Sequence, residues 1–411
     1  MLNLPLIAFQ SAIMGQYILV FLTAFLIVFI CTPSLIRVAI RKNLTDTPGD
    51  LRKLHTRSIP TLGGVMIFAG TLFSFALLLP TISNMIITGG LNSSQINGAI
   101  YQHAAEVRMN WTDASQIIND SNYLIAAMLI LFFIGIKDDI IGTAAVYKLL
   151  AHVIIGMILV LMGGIRITSF HGLFGIYNDI PYWASVFLSV FTYVVIINSI
   201  NFIDGIDGLA AGIGLIGSAA FGMWFAFAHS PVLACLAFAL CGSLGGFIIY
   251  NFSPAKIFMG DSGSLIIGLI LAVLGIKLIE FDPAQLPLNI ARISRPLFVM
   301  SILAYPLIDA LRIVIYRSLK GTSPLAADRN HIHHALLDMN LSHRQISILL
   351  YGYTIIVTTL SILLSDIDYT LAFAVVGGIA VFGLQVPLII KLRRRRTRAT
   401  IVKEMNRNQA I

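Results

Sequence analysis

Long apolar runs separated by short polar connections fill most of the chain, and they are continuous rather than alternating. A helix needs about 20 residues to cross a hydrocarbon core roughly 30 Å thick. Eleven stretches meet that length, at about 15–35, 61–83, 121–137, 148–165, 182–200, 206–228, 231–250, 262–280, 296–316, 346–364 and 369–390. Continuous apolar segments satisfy their backbone internally as helices, whereas a barrel would alternate along each strand. The pattern therefore predicts an all-α polytopic membrane protein with about eleven transmembrane helices. The first stretch has no basic segment before it and no small-residue cleavage site after it, so it reads as a retained span. One long polar insertion, 84–120, is rich in Gly, Asn and Ser and carries no evident chemistry. Residues 1–392 then form a single transmembrane domain, followed by a basic tail at 393–411.

Composition supports this reading, since 57% of residues are hydrophobic and only 11% are charged. Charge adds the orientation. With the N-terminus outside, 22 of the 27 Lys and Arg fall in connections on the inner side. Positively charged loops stay in the cytoplasm, so the C-terminus is predicted to be cytoplasmic and the 84–120 insertion to lie outside. Beside a last span, Arg393–Arg396 serve as a topology anchor and a contact for anionic lipid rather than a nucleic-acid site. Cys31, Cys235 and Cys241 all lie in apolar runs, which excludes a disulfide framework or a CxxC metal site.

Four polar clusters interrupt the apolar pattern. Lys137-Asp138-Asp139 ends the third stretch, and Lys148 opens the next. Adjacent carboxylates repel and call for a cation or a shared proton, although the same residues also fit a solvated helix end. In the second cluster Asn198, Asn201, Asp204 and Asp207 recur every three residues and so share one face of a helix end. Two carboxylates and two amides at such a depth are costly unless they line a polar site. The third cluster, Tyr250 to Ser264, contains Asn251, Phe258 and Asp261. Asp261 suits either a helix N-cap or a Mg²⁺ ligand, because Mg²⁺ often takes only one or two protein carboxylates beside substrate phosphate. Phe258 could stack on a base. The fourth cluster is Asp328-Arg329-Asn330-His331-Ile332-His333-His334. No further thiolate or spaced His completes a zinc set there, and Arg and His together suit phosphate.

Gly212-Ile213-Gly214-Leu215-Ile216-Gly217 matches GxGxxG, but it lies inside an apolar run, where close helix packing is the better account. On the predicted topology the four clusters sit at the inner ends of spans three, five, seven and nine. Parity alone brings them to one face. Carboxylates for a cation, basic groups for phosphate and an apolar surround favour phosphoryl transfer from a soluble nucleotide to a membrane-embedded acceptor. A secondary transporter is the alternative class, but its coupling acids would lie near the bilayer midplane on repeated, broken helices.

At His55 through Ile59-Pro60-Thr61-Leu62-Gly63-Gly64, Asp138-Asp139, Asn201–Gly208, Asn251–Gly263 and His331–His334, the chain resembles the polyprenyl-phosphate N-acetylhexosamine-1-phosphate transferase family. That family includes the MraY translocases and the WecA and TagO enzymes, and the Asp328–His334 form looks like the WecA branch. The resemblance implies transfer of N-acetylglucosamine 1-phosphate from a UDP-sugar to polyprenyl phosphate, releasing UMP and starting cell-envelope polysaccharide synthesis. It implies a bacterial cytoplasmic membrane, Mg²⁺ or Mn²⁺ as cofactor, and compatibility with a homodimer. The MraY-type transfer of phospho-MurNAc-pentapeptide is the alternative within the family. Residue by residue, Asp261 would bind the metal with Asn201 as a second contact. Asp138 would deprotonate or orient the lipid phosphate, supported by Asp139, with Asp204 and His333 in the same catalytic group. Asp204, Asp207, Asn251 and Phe258 would hold the nucleotide, and Lys148, Asn198, Arg329, His331, His333 and His334 would complete the substrate contacts.

Overall fold

A computed structural model of the chain describes residues 4–46, 58–91, 111–322 and 331–408. Its helices are α1 (Leu4–Arg41), α2 (Gly63–Leu91), α3 (Trp111–Ile141), α4 (Ala145–Met157, prolonged by a π-helical turn at Ile158–Met162), α5 (Tyr182–Phe202), α6 (Leu209–Phe227) and α7 (Pro231–Asn251). They continue with α8 (Asp261–Ile279), the short α9 (Leu288–Ala291), α10 (Arg295–Ile302), α11 (Ala304–Leu319), α12 (Ile332–Leu337), α13 (His343–Leu363) and α14 (Tyr369–Asn408). Two short strands, β1 (Thr45–Asp46) and β2 (Ile59–Pro60), pair antiparallel.

All eleven predicted stretches fall on helices. Among the described residues, nine helices are long and apolar enough to cross a membrane, and a bent pair makes ten. The remaining stretch, 121–137, is the apolar part of α3, whose first turns are polar. The chain is a multi-pass helical membrane protein. The ninth stretch, 296–316, differs from a simple span: α10 and α11 meet at 74°. Pro306 explains the break. In a continuous helix it would leave the Ile302 carbonyl without its donor, whereas in the first turn of a new helix its missing N–H has no partner to lose. The polar insertion also narrows, because α2 runs on to Leu91 and α3 begins at Trp111. Residues 92–110, 47–57 (with His55) and 323–330 (with Arg329) lie outside the described residues. At the C-terminus, α14 carries straight through Arg393–Arg396.

α8 is the axis of the bundle. From Ser262 to Ile279 every residue except Lys277 is buried, as expected of a helix apolar on all sides and enclosed by others. It packs on α2, α3, α5, α6, α7 and α10. Small residues allow this closeness. A Cβ at Gly64 of α2 would lie 2.1 Å from the Gly263 nitrogen, and one at Gly135 of α3 would lie 2.5 Å from the Ser262 Cα. The ends of α2 and α3 are thereby held against the first turn of α8. The 59–64 segment adds a strand-like seam: Phe258 N–H donates to Pro60 O (2.7 Å), Gly63 N–H to Phe258 O (3.0 Å) and Gly64 N–H to Met259 O (2.8 Å). The GxGxxG segment is indeed a packing surface. A Cβ at Gly212 would fall 2.0 Å from the Tyr351 ring, and one at Gly217 would press on Ile302. The three cysteines are free, with Cys235 and Cys241 buried.

Candidate active site

The ends of α3 and α5 and the starts of α4 and α8 converge on one charged group. Lys148 Nζ on α4 bridges Asp138 Oδ2 at 3.1 Å and Asp261 Oδ2 at 2.8 Å. Asn201 Nδ2, at the end of α5, donates to Asp261 Oδ1 and to Ser264 Oγ, both at 2.9 Å. Asp139 has a different task from its neighbour. It accepts from Asp261 N–H (2.7 Å), Ser262 N–H (3.1 Å) and Ser262 Oγ–H (2.6 Å), so a carboxylate of α3 caps the N-terminus of α8. Gly260, at φ +73°, is required here. A Cβ would come within 2.6 Å of both Asp139 oxygens and 2.4 Å of the Thr61 carbonyl.

The turn after α5 carries Asp204 and Asp207. Burial, reinforced by Asp261, Asp139 and Asp207, pushes the Asp204 carboxyl well above the usual carboxylate range. Burial alone would also raise Asp207, but hydrogen bonds from His343 and the Ala255 N–H outweigh it and hold Asp207 below its ordinary value. The Ala255 N–H lies 3.1 Å from Asp207 Oδ2, and His343 Nδ1 lies 3.4 Å from Oδ1. Asn251 is buried; its Oδ1 accepts from Gly208 N–H and its Nδ2 donates to Ile257 O, both at 3.0 Å. Tyr351 donates to Gly208 O, and Ser347 Oγ donates to Asp207 O at 3.0 Å. Asp207 and Asn251 thus lock the 204–208 turn to the 251–257 loop and to α13. Phe258 is half-buried beside them, its backbone fixed by the 59–64 seam. Asn198 sits one turn from Asn201, and its amide donates to His152 Nδ1 (3.0 Å) and Val194 O (2.7 Å).

The histidines close the group from the other side. His331 Nδ1 lies 2.7 Å from Asp309 Oδ2, and its ring stacks nearly parallel on His333, with centroids 5.3 Å apart. His334 lies 4.4 Å from His333 between ring centroids. His333 presses on the turn that holds Asp204: a Cβ at Gly205 would meet its Nε2 at 2.8 Å. Burial first, and then the neighbouring His334, push His333 down to about 3. Burial thus favours the neutral ring, which can donate at one nitrogen and accept at the other. Among the described residues no three His, Cys, Asp or Glu stand together as a metal cage.

Three of the four sequence clusters are joined by direct hydrogen bonds and the fourth by the His333–Gly205 contact. Several members escaped the sequence reading. Asp309 was signalled only as an ionisable residue inside an apolar stretch, His152 only by its place one turn after Lys148, and His343 not at all.

A multi-pass helical bundle with a carboxylate-rich, lysine-bridged site at one end of its helices defines a membrane enzyme. Residues 121–279 match the family described as Glycosyl transferase family 4. A Mycobacterium leprae protein named decaprenyl-phosphate N-acetylglucosaminephosphotransferase is 30% identical over 354 residues, covering 81% of this chain and 80% of its own length. The chain belongs to glycosyl transferase family 4. A Bacillus subtilis (strain 168) protein named "Probable undecaprenyl-phosphate N-acetylglucosaminyl 1-phosphate transferase" is 29% identical over 373 residues, 90% of each chain. Escherichia coli (strain K12) undecaprenyl-phosphate alpha-N-acetylglucosaminyl 1-phosphate transferase is 27% identical over 318 residues, 76% of this chain and 74% of its own.

Proposed function

We propose that this protein transfers N-acetylglucosamine 1-phosphate from UDP-N-acetylglucosamine to a polyprenyl phosphate. An oxygen of the lipid phosphate attacks the β-phosphorus of the sugar nucleotide. The bond from that phosphorus to the bridging oxygen breaks, and UMP leaves with that oxygen. The names of relatives that cover most of the chain support the donor and the acceptor class. The observation that carries the chemistry is the Lys148 ammonium shared by Asp138 and Asp261, which marks a position shaped for positive charge between two carboxylates.

That position fits a hard divalent cation, for which one or two carboxylates beside substrate phosphate suffice. Asp261 would hold Mg²⁺ or Mn²⁺, with Asn201 as the second protein contact. When bound, the ion neutralises the charge of the diphosphate. Asp138 orients the lipid phosphate and takes its proton, and Lys148 turns from the carboxylates to the phosphate oxygens. Asp139 keeps Asp261 in place through the α8 cap. Asp204, already disposed to hold a proton, lines the same floor. Asp207, Asn251 and Phe258 shape the nucleotide wall, and His331, His333, His334 and Arg329 contact sugar and phosphate. The charge distribution supports an N-terminus outside and a site facing the cytoplasm of a bacterial inner membrane.

The test is to offer purified protein a panel of UDP-sugars with polyprenyl phosphate and Mg²⁺ or Mn²⁺, and to weigh the lipid product by mass spectrometry. A lipid-diphosphate-N-acetylglucosamine together with UMP is expected. Another sugar on the lipid would overturn the donor, and absence of any lipid product would overturn the reaction.

A further inference from the structure

Asp309 lies outside all four clusters, and no step of the proposed reaction uses it. It sits on α11 with no exposed surface. A carboxylate so placed persists only when donors surround it. Three do: Oδ1 accepts from the Ile332 N–H at 2.9 Å and from Arg312 Nη2 at 3.2 Å, and Oδ2 faces His331 Nδ1 at 2.7 Å. The oxygens are therefore assigned to different partners. An ionised carboxylate can only accept, so the His331 ring must carry its proton on Nδ1. Nε2 is left as the nitrogen available to anything else. His333 stacks on the ring at 5.3 Å, and Phe202 lies tilted against it at 5.8 Å between centroids. His333 rests on Gly205, the neighbour of Asp204. Tautomer, orientation and distance from the carboxylate floor are thus all fixed from within the protein.

We propose that Asp309 is a positioning residue for the transfer: it holds His331 in the Nδ1–H tautomer so that Nε2 is the nitrogen presented to the substrate. The role rests on the transferase reading given above. It also explains why a charge is retained inside the broken span, where the Ile332 N–H and Arg312 bonds alone could be met by an amide oxygen.

That last point supplies the test. In Asp309→Asn the amide oxygen keeps the Ile332 and Arg312 bonds, which turns the NH₂ toward His331 Nδ1. The ring is forced into the opposite tautomer with little change of shape. In full-length protein in nanodiscs, ¹⁵N-histidine NMR should place the wild-type His331 proton on Nδ1, with the signal assigned by its loss in His331→Gln. In Asp309→Asn it should move to Nε2. The kcat of UMP release should fall about 10-fold to 100-fold while the KM for the UDP-sugar changes little. In a His331→Gln background the same substitution should cost almost nothing further, because its effect runs through that ring. Effects that multiply in the double variant, or a wild-type His331 protonated on Nε2, would overturn the proposal. The wild-type NMR measurement decides it even if the variants are not recovered folded. Wild-type protein lacking all turnover would count against the transferase reading alone, leaving the tautomer to speak for the positioning role.

Discussion

At its first residue α8 presents Asp261 to Lys148 and Asn201, with Asp138, Asp139 and Asp204 close by. At the far end of the same helix Lys277 pairs with Asp120, and Glu280 accepts from the Thr168 N–H at 2.8 Å, from the Thr168 hydroxyl and from His171 Nε2, which lies 3.1 Å away. Both groups are polar islands in an apolar bundle, yet their balance differs. At the far end each carboxylate has its own cation or donor set, and the ties fasten the 166–171 segment to the end of α8. At the near end one lysine serves two carboxylates while Asp204 has its charge opposed by its neighbours. Matched charge marks a fastening; unmatched charge marks a place made for a partner from outside.

Four substitutions should break or sharpen that contrast. Asp261→Asn at the near end should lower UMP release by about 10³-fold or more, with folded yield in detergent unchanged, because it removes charge that the bound diphosphate requires while Asp138 still pairs with Lys148. Turnover within tenfold of wild type would remove Asp261 from the chemistry. Lys148→Met should cost about 10²-fold in kcat/KM, read in the same assay, since it keeps the stem but deletes the phosphate contact. At the far end Glu280→Gln should leave turnover per folded molecule intact and lower stability by about 1–3 kcal/mol in thermal unfolding.

That loss should depend on pH in a defined sense. Burial would raise Glu280, but the bonds from His171 and Thr168 outweigh it and hold its carboxyl below the ordinary 4.5. Its stabilisation is therefore present above pH 4.5 and disappears as the pH falls through the folded-state value. The melting difference between wild type and Glu280→Gln should narrow under acid, and a constant difference would show that the tie is not ionic. The smallest effect is expected at Arg292–Asp366, 3.2 Å apart with side chains 74% and 72% exposed. Arg292→Ala should change stability by only about 0.5 kcal/mol. A loss as large as that of Glu280→Gln would mean that exposure does not separate the two kinds of pair.

The spans were legible because bilayer thickness imposes length and continuity on them, and the meeting of the four clusters followed from helix parity. Several features were not. Pro306 looks the same in a continuous apolar run whether the span bends or not, so the α10–α11 break was hidden. Asp138 and Asp139 are indistinguishable in sequence, and only packing against Ser262 and Gly260 gives one of them a cap to make. The family resemblance makes Asp207 and Asn251 nucleotide contacts, and nothing in the linear pattern gives them a further task. In the structure their hydrogen bonds also join loop to loop, which a linear pattern cannot display. Asp309 and His343 join the site by pairing with residues distant in the chain.

The cap that Asp139 places on α8 has a mechanical consequence. It ties the first turn of a fully enclosed helix to the residue next to Asp138, so the position of Asp261 along its axis is set by everything α8 touches below. At Gly268, deep in the bundle, a single added methyl would lie 2.7 Å from the Ile197 backbone. The helix could relieve that only by sliding or tilting, and a shift of one residue is about 1.5 Å, enough to part Lys148 from one of its two carboxylates. α8 is in effect a rigid pushrod: faults in the oily middle of the protein will surface as faults in catalysis.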